Sequence, residues 1–485
     1  EAYSRFWKII PLDKKKQLPK TLSIAKKLMQ PSLFDKLNKN IYDFCENILE
    51  NKKGYEALKS FLNRDIPNIK GIKPGEKIIT SENFDKEIPD IIARLNSSYL
   101  FLQGPPGTGK TFQSANAIVE LLKKNKRIAV TANSHKVIHN LLERVEKIAE
   151  KQSFLFKGLK MGNPDNEDTF YKGKLIKTDK NERHYIDGLK ERNTLLYAGT
   201  KYHLSQWYYR SKIDYLFVDE AGQISIADLI ALGGVAKNII LVGDQLQLGQ
   251  PTQGSHPGLS NNSVLDYLLQ GKDTVEDNRG IFLSRTYRMH PNINSFISEN
   301  FYENKLLTNP ENKNRKIDFP KNFFLNNEGI HTILMDHEDC TQTSEQEFKK
   351  IDEIIKKLIG KKFTDADNKE RPLTIEDFLI VSPYNAQVNF LLARLPEGTR
   401  CGTIDRFQGQ EAPVTIISMT SSDLESLPRN KSFFFNSNRL NVAISRAQCL
   451  SVILINPKLL ESPPKTYEEF KMINNFQKLL KFKIN

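Results

Sequence analysis

YLFLQGPPGTGKT, residues 99–111, joins an apolar run to a glycine-rich loop. The run has strand length, and TFQSANAIVELLKK (111–124) after the loop is compatible with a helix. Strand, loop and helix in this order are the context in which G-x-x-x-x-G-K-[ST] binds phosphate. The loop of Gly104, Pro105, Pro106, Gly107, Thr108 and Gly109 offers backbone N–H groups, and the helix start adds its dipole. Lys110 is placed to reach β and γ phosphates, and Thr111 to ligate Mg²⁺. The stretch predicts a bound nucleoside triphosphate and a parallel α/β sheet around it. It does not say what hydrolysis drives.

Outward from the loop the same rhythm repeats. YLFLQG, RIAVTAN, LLYAGT, YLFVDEA and NIILVGD are short β-rich runs separated by helix-length stretches. That alternation predicts a parallel sheet with helices on both faces. After IFLSRTYR a second series follows: HTILMD, DFLIVSPY, TIDRFQ, VTIISMT and LSVILIN. The expected fold is α/β, with two tandem parallel-sheet domains and an N-terminal helical appendage. Residues 1–75 are read as a helical stalk or connector, 76–272 as the first domain and 273–485 as the second. The first boundary rests on the breaker segment DIPNIKGIKPGE. In SLFDKLNKNIYDFCENILE, Leu33, Leu37, Ile41, Phe44 and Ile48 fall near helical spacing. Residues 150–193 lack clear periodicity and are expected to insert into or decorate the first domain. GQPTQGSHPGLSNNS (249–263) reads as a loop.

At 485 residues the chain exceeds one ordinary domain; a length prior gives about three. No apolar run approaches the roughly 20 residues a membrane helix needs, so no membrane partner is expected. A net charge of +13 favours a polyanionic partner. Cys45, Cys340, Cys401 and Cys449 are far apart with no CxxC. That argues against structural zinc and disulfides and points to a reducing cytoplasm. EAYSRFWKIIPLDKKK has neither an initiator Met nor a signal-peptide core, so a trimmed or processed chain is expected.

Several downstream residues have chemistry that suits the loop. YLFVDEAG ends a strand in Asp219 and Glu220. Asp219 is expected to hold the metal and Glu220 to polarise the attacking water, because two carboxylates at a strand end are costly without a cation. In NIILVGDQLQLGQP, Gln247 is placed to sense a γ-phosphate or orient water, and Asp244 to couple that sensing to the core. Arg288 in SRTYRMHP and Arg446 in RLNVAISRAQ can neutralise charge that builds on a transferred phosphoryl group. In TIDRFQGQEAP, the run Gln408 to Glu411 flanks Gly409 with amides and a carboxylate, which can bring backbone close to phosphate or ribose. SQWYYRSK (205–212) could stack bases, but its place directly before the Asp219 strand favours core packing. SFFFNS (432–437) reads the same way. Ser344 to Glu347 reads as a capping box that starts a helix.

Taken in order, GPPGTGKT, VTANSHK, VDEAGQ, VGDQLQL, YRMHP, VSPYNAQ, TIDRFQGQE and RLNVAISRA resemble the motif set of superfamily 1 helicases, and within it the Upf-like, 5′-to-3′ branch. The resemblance spans about residues 100–450. SYLFLQGPPGTGKT, VTANSHKVIHNLL and GQPTQGSHPG look closer still to the helicase halves of bacterial proteins that carry a RecB-like nuclease domain upstream. The resemblance implies two RecA-like domains with ATP and Mg²⁺ in the cleft between them. Lys110, Thr111, Asp219, Glu220 and Gln247 would come from the first domain, and Arg288 and Arg446 from the second as arginine fingers. It further implies Tyr287 near adenine, and Gly409 and Glu411 on the nucleotide. Single-stranded nucleic acid, DNA in preference to RNA, would cross both domains. Its backbone would be touched at Thr131, Asn133, Ser134, Thr200, Pro383, Tyr384, Asn385 and Thr403 by hydroxyls and amides. An upstream nuclease domain is an implied partner, and a monomer is expected. Many relatives read adenine with a glutamine some twenty residues before the loop. SENFDKEIPDIIARLNSS has none, which puts adenine selectivity in question. Two alternatives share these motifs: an RNA helicase or remodeller, and a nucleotide-gated scaffold. Intact Glu220, Gln247 and both arginines argue against the scaffold.

Overall fold

The first described helix is α1 (Pro31–Leu49). The computed structural model describes residues 31–81, 83–249, 259, 262–320, 322–407, 409–423, 434–461 and 466–483. Gln408, most of the 249–263 loop and residues 432–433 of SFFFNS lie outside them. In α1, Leu37 and Phe44 turn inward while Ile48 stays exposed. The Asn40 amide donates to the carbonyls of Ser205 (2.8 Å) and Ala231 (2.9 Å), which docks α1 on the body of the protein. A second helix, α2 (Glu56–Leu62), buries Leu58 and Phe61.

The first sheet has eight strands. They are β1 (Tyr99–Gln103), β2 (Ile128–Thr131), β3 (Gly158–Met161), β4 (Ile176–Asp179), β5 (Leu196–Ala198), β6 (Ile213–Val218), β7 (Ala236–Gly243) and β8 (Gly280–Phe282). Their order is β4-β3-β5-β2-β6-β7-β1-β8, and every pairing is parallel. Both faces are covered, as the unbroken apolar runs require. Alternate residues of β1 go to opposite cores: Leu100 and Leu102 meet helices α3 (Lys110–Lys123) and α4 (His135–Lys151), whereas Tyr99 and Phe101 meet Leu58 and Phe61 of α2. The unperiodic segment 150–193 supplies β3 and β4, which extend one edge of the sheet. β8 extends the other edge and lies beyond residue 272.

The second sheet follows α5 (Pro291–Phe301). It contains β9 (Gly329–Leu334), β10 (Phe378–Val381), β11 (Arg400–Gly402), β12 (Ala412–Ser418) and β13 (Ala447–Ile455), in the order β9-β13-β12-β10-β11, again parallel. Helix α6 (Ser437–Ile444) runs into β13, capped by the Asn436 side chain, which accepts from the N–H of Arg439 at 2.9 Å. The protein is thus an α/β fold of two parallel sheets with a helical appendage. Ser344 does start a helix, Glu345–Leu358, and its hydroxyl accepts from Glu347 N–H at 3.2 Å. The Glu347 carboxylate does not close a capping box. It is fully buried and accepts instead from the N–H of Thr420 (2.9 Å) and the hydroxyl of Ser418 at the end of β12.

Candidate nucleotide site between the two sheets

In parallel sheets, chemistry collects where strands end and their loops begin. The end of β1 leads into the glycine loop, β6 ends at Asp219, and β7 ends at Asp244. The loop is tight. A Cβ on Gly104 would lie 2.0 Å from Cγ of Lys110, and one on Gly107, whose φ is +74°, would lie 2.5 Å from Cβ of Arg288 and 2.6 Å from Oγ1 of Thr286. Thr286 donates its hydroxyl to the Pro106 carbonyl (3.0 Å), and the Tyr287 N–H donates to Gly107 O (2.8 Å). The SRTYR segment therefore lies directly on the phosphate loop. Lys110 Nζ is folded back onto the Gly104 carbonyl.

Asp219 is buried, and its N–H donates to Thr131 O at 2.9 Å. Burial first, then the charge of Glu220, pushes the Asp219 carboxyl well above the usual range, with the N–H of Glu220 and the charge of Lys110 opposing. Glu220 takes a left-handed backbone (φ +50°) directly after the β6 strand end. Gln247 Nε2 donates to Asp244 Oδ2 (2.9 Å) and sits 3.5 Å from the Gly104 carbonyl.

The two arginines arrive from the other side. Arg288 donates to Glu411 and, at 3.1 Å, to Ser445 O. Glu411 also accepts from Gln448 (2.8 Å). Burial raises its carboxyl, yet the charge and hydrogen bond of Arg288 outweigh this and hold it below the usual range. Arg446, 4% exposed, donates one NH to Gln410 O (3.0 Å), while its Nε has no partner. Burial, then the charge of Arg288, presses its guanidinium below the usual arginine range, against the pull of Glu220 and Glu411. Glu220 from the first sheet, Glu411 and Arg446 from the second and Arg288 from the segment between them are thus electrostatic neighbours.

This donor set fits a nucleoside triphosphate with magnesium. Two carboxylates, Asp219 and Glu220, meet at a buried strand end, an arginine Nε lacks an acceptor, and a glycine cradle has no room for side chains. Lys110, Thr111 and Asp219 are the residues that would hold it. Tyr287, 54% exposed beside Gly107, offers a ring face, and Gly409 takes a positive φ (+77°) with open space around it.

The remaining segments follow other strand ends: Thr131, Asn133 and Ser134 after β2, Thr200 after β5, Pro383 to Asn385 after β10, and Thr403 after β11. Asn133, Ser134 and Asn385 are exposed; Thr200, Pro383 and Thr403 are half-buried. Thr131 (1% exposed) and Tyr384 are buried, so their side chains do not form surface. Sequence reasoning missed Tyr302, Asn438 and Asn441. Asn438 and Asn441 sit inside RLNVAISRA or just before it, and their motif was the available signal. Tyr302 had none.

Two family models, each described as an AAA domain, match residues 90–260 and 261–458. The Drosophila melanogaster regulator of nonsense transcripts 1 homolog is 27% identical over 417 residues, covering 74% of this chain and 33% of its own length. The ATP-dependent helicase upf1 of Schizosaccharomyces pombe is 25% identical over 469 residues (84% and 48%). The DNA polymerase alpha-associated DNA helicase A of the same yeast is 27% identical over 414 residues (71% and 59%). The chain thus spans between a third and three-fifths of the length of these relatives.

Proposed function

This chain belongs to the Upf1-like superfamily 1 helicases, and from that premise we propose that it is an ATP-hydrolysing motor that moves 5′ to 3′ on single-stranded nucleic acid, with DNA as its preferred strand. The observation that carries this reading is the approach of Arg446, just before β13 in the second sheet, and of Arg288, from the segment between the sheets, to Glu220 and the phosphate loop of the first. A nucleotide held between such groups senses both sheets at once.

When bound, the magnesium nucleotide supplies the phosphoryl group to be transferred. Glu220 is the group that takes the proton of the attacking water, with Gln247 orienting it. Arg446 carries a free Nε for developing negative charge, and Arg288 must exchange Glu411 and Ser445 for the same purpose. Relative movement of the two sheets would then alter the grip of Asn133, Ser134, Thr200, Pro383, Asn385 and Thr403 on a phosphate backbone. Such contacts hold a strand without reading its sequence. A nuclease domain elsewhere in the same polypeptide and action as a cytoplasmic monomer belong to this reading. The transcript-regulating name of one relative favours RNA as the second substrate to test.

The deciding measurement is ATP turnover with single-stranded DNA, single-stranded RNA and duplex. We expect strong stimulation by a single strand, larger for DNA, and none in Lys110→Ala. Failure of both single strands to stimulate sinks the motor. Turnover surviving in Lys110→Ala sinks the site. Displacement of a block from the 5′ rather than the 3′ end would reverse the polarity.

A further inference from the structure

From Gln247, beside the glycine loop, a line of hydrogen bonds runs to Asn441 on α6, the helix that leads to Arg446. Gln247 Nε2 donates to Asp244 Oδ2 at 2.9 Å. The same oxygen accepts the Tyr302 hydroxyl at 2.7 Å, and that hydroxyl accepts from Asn441 Nδ2 at 2.8 Å. Asp244, Tyr302 and Asn441 are all buried. Asn441 lies on α6, two residues past Arg439 and five before Arg446. The helix also grips the loop after β7 directly. Asn438 Nδ2 donates to the carbonyls of Gln245 and Gln247, each at 2.9 Å, and Asn441 Nδ2 to that of Leu246 at 2.8 Å.

We propose that Tyr302 and Asn441 are positioning residues that pass the state of the Gln247 side chain to α6, and so set the placement of Arg446. The proposal rests on the nucleotide reading above. A Gln247 amide that swings out to a phosphate oxygen gives up its bond to Asp244. Asp244 is then a buried carboxylate short of one donor. Apart from the Leu246 N–H at 3.3 Å on its other oxygen, the Tyr302 hydroxyl is the remaining described donor. An underbonded buried anion costs enough that the surviving bond must tighten or the loop must shift. Tyr302 is held by Asn441, and Asn441 by the loop, so either response moves α6. Two slack groups can take new partners, Oδ1 of Asn441 on the line and Nε of Arg446 beyond the end of α6, both buried and unbonded.

Hydrogen–deuterium exchange of the full chain, with and without the non-hydrolysable triphosphate AMP-PNP and magnesium, reads this without turnover. In the wild type, nucleotide should change exchange both in α3, behind the phosphate loop, and in α6. In Tyr302→Phe, which keeps the ring, the α3 change should persist and the α6 change should fall at least threefold. Asn441→Leu, which keeps the branched shape without the amide, should do the same and covers the case in which the first variant is poorly folded. An α6 response equal to wild type in both variants overturns the relay. So does a wild-type protein in which α3 responds and α6 does not, and neither result touches the nucleotide site. No response in α3 of the wild type overturns the nucleotide reading and the relay with it. As a second readout, Tyr302→Phe should not worsen turnover further in a Gln247→Ala background; independent losses that multiply contradict a shared line.

Discussion

Gly107 shows how closely the two halves meet. Its φ of +74° already disfavours any side chain, and the new Cβ would strike Arg288 and Thr286. Gly107→Ala should cost about 1–3 kcal/mol in strain and lift the SRTYR segment from the loop. Turnover should fall more than stability does, measured as kcat alongside a thermal melt; an unchanged kcat would show that this contact is idle. Arg446→Ala should lower kcat by about 10³-fold, as for other arginines that meet transferring phosphate, while the affinity for a fluorescent ATP analogue stays within a few-fold. A large loss of affinity with kcat intact would make it a binding residue instead. At this scale the sequence was a good guide to which segments meet at the strand ends and a poor one to where side chains point. Thr131 and Tyr384 belong to motif segments yet are buried. In SQWYYRSK, Tyr208 and Tyr209 pack inward as the place before the Asp219 strand suggests, whereas Trp207 is 70% exposed. One-dimensional spacing cannot separate neighbours on a short 3₁₀ turn, where successive side chains fan out in different directions.

Strands with continuous apolar runs, such as β1, β6 and β7, were legible because burial on both faces leaves no polar alternation. β3 (GLKM), β4 (IKTD) and β8 (GIF) were not: they are three or four residues long, near or at the sheet edge, and carry charge or glycine. β3 hides a further surprise. Lys160 reads as a solvent-facing edge lysine, yet it is fully buried with its Nζ on the Thr169 carbonyl. Burial lowers its pKa to about 8. In the unfolded chain the value is about 10.4, so the unfolded state binds the proton more tightly. Stability must therefore rise as pH climbs from about 8 to 10, and the charged lysine is a burden at pH 7. A shift of this size is worth on the order of 3 kcal/mol, less about 1 for the lost hydrogen bond. Lys160→Met should then be more stable than wild type by about 2 kcal/mol at pH 7, with the gap closing above about pH 10. Melting curves of both proteins across that range test it; parallel curves at every pH would mean that Lys160 is hydrated.

For the whole molecule the question is what the net charge of +13 does. A chain so basic could grip nucleic acid through diffuse lysines, or through a narrow track at the strand ends of both sheets. The two differ in salt dependence, because only neutralised phosphates release counterions, with a slope of about −0.7 per contact for single strands. The track residues are mostly hydroxyls and amides; the exposed cations beside them are Lys136 and Arg406. Two such contacts predict a slope of about −1.4 in log K against log salt, a loss of about sevenfold between 50 and 200 mM. Eight diffuse contacts would give about −5.6 and a loss of about 10³-fold over the same range. Fluorescence anisotropy with a labelled single strand separates them. A shallow slope that steepens no further when remote lysines are present, and flattens in Lys136→Ala with Arg406→Ala, is the outcome expected of a motor. A strand that must be passed forward with each cycle is better held by short, directional bonds that break one at a time than by a field that holds everywhere at once.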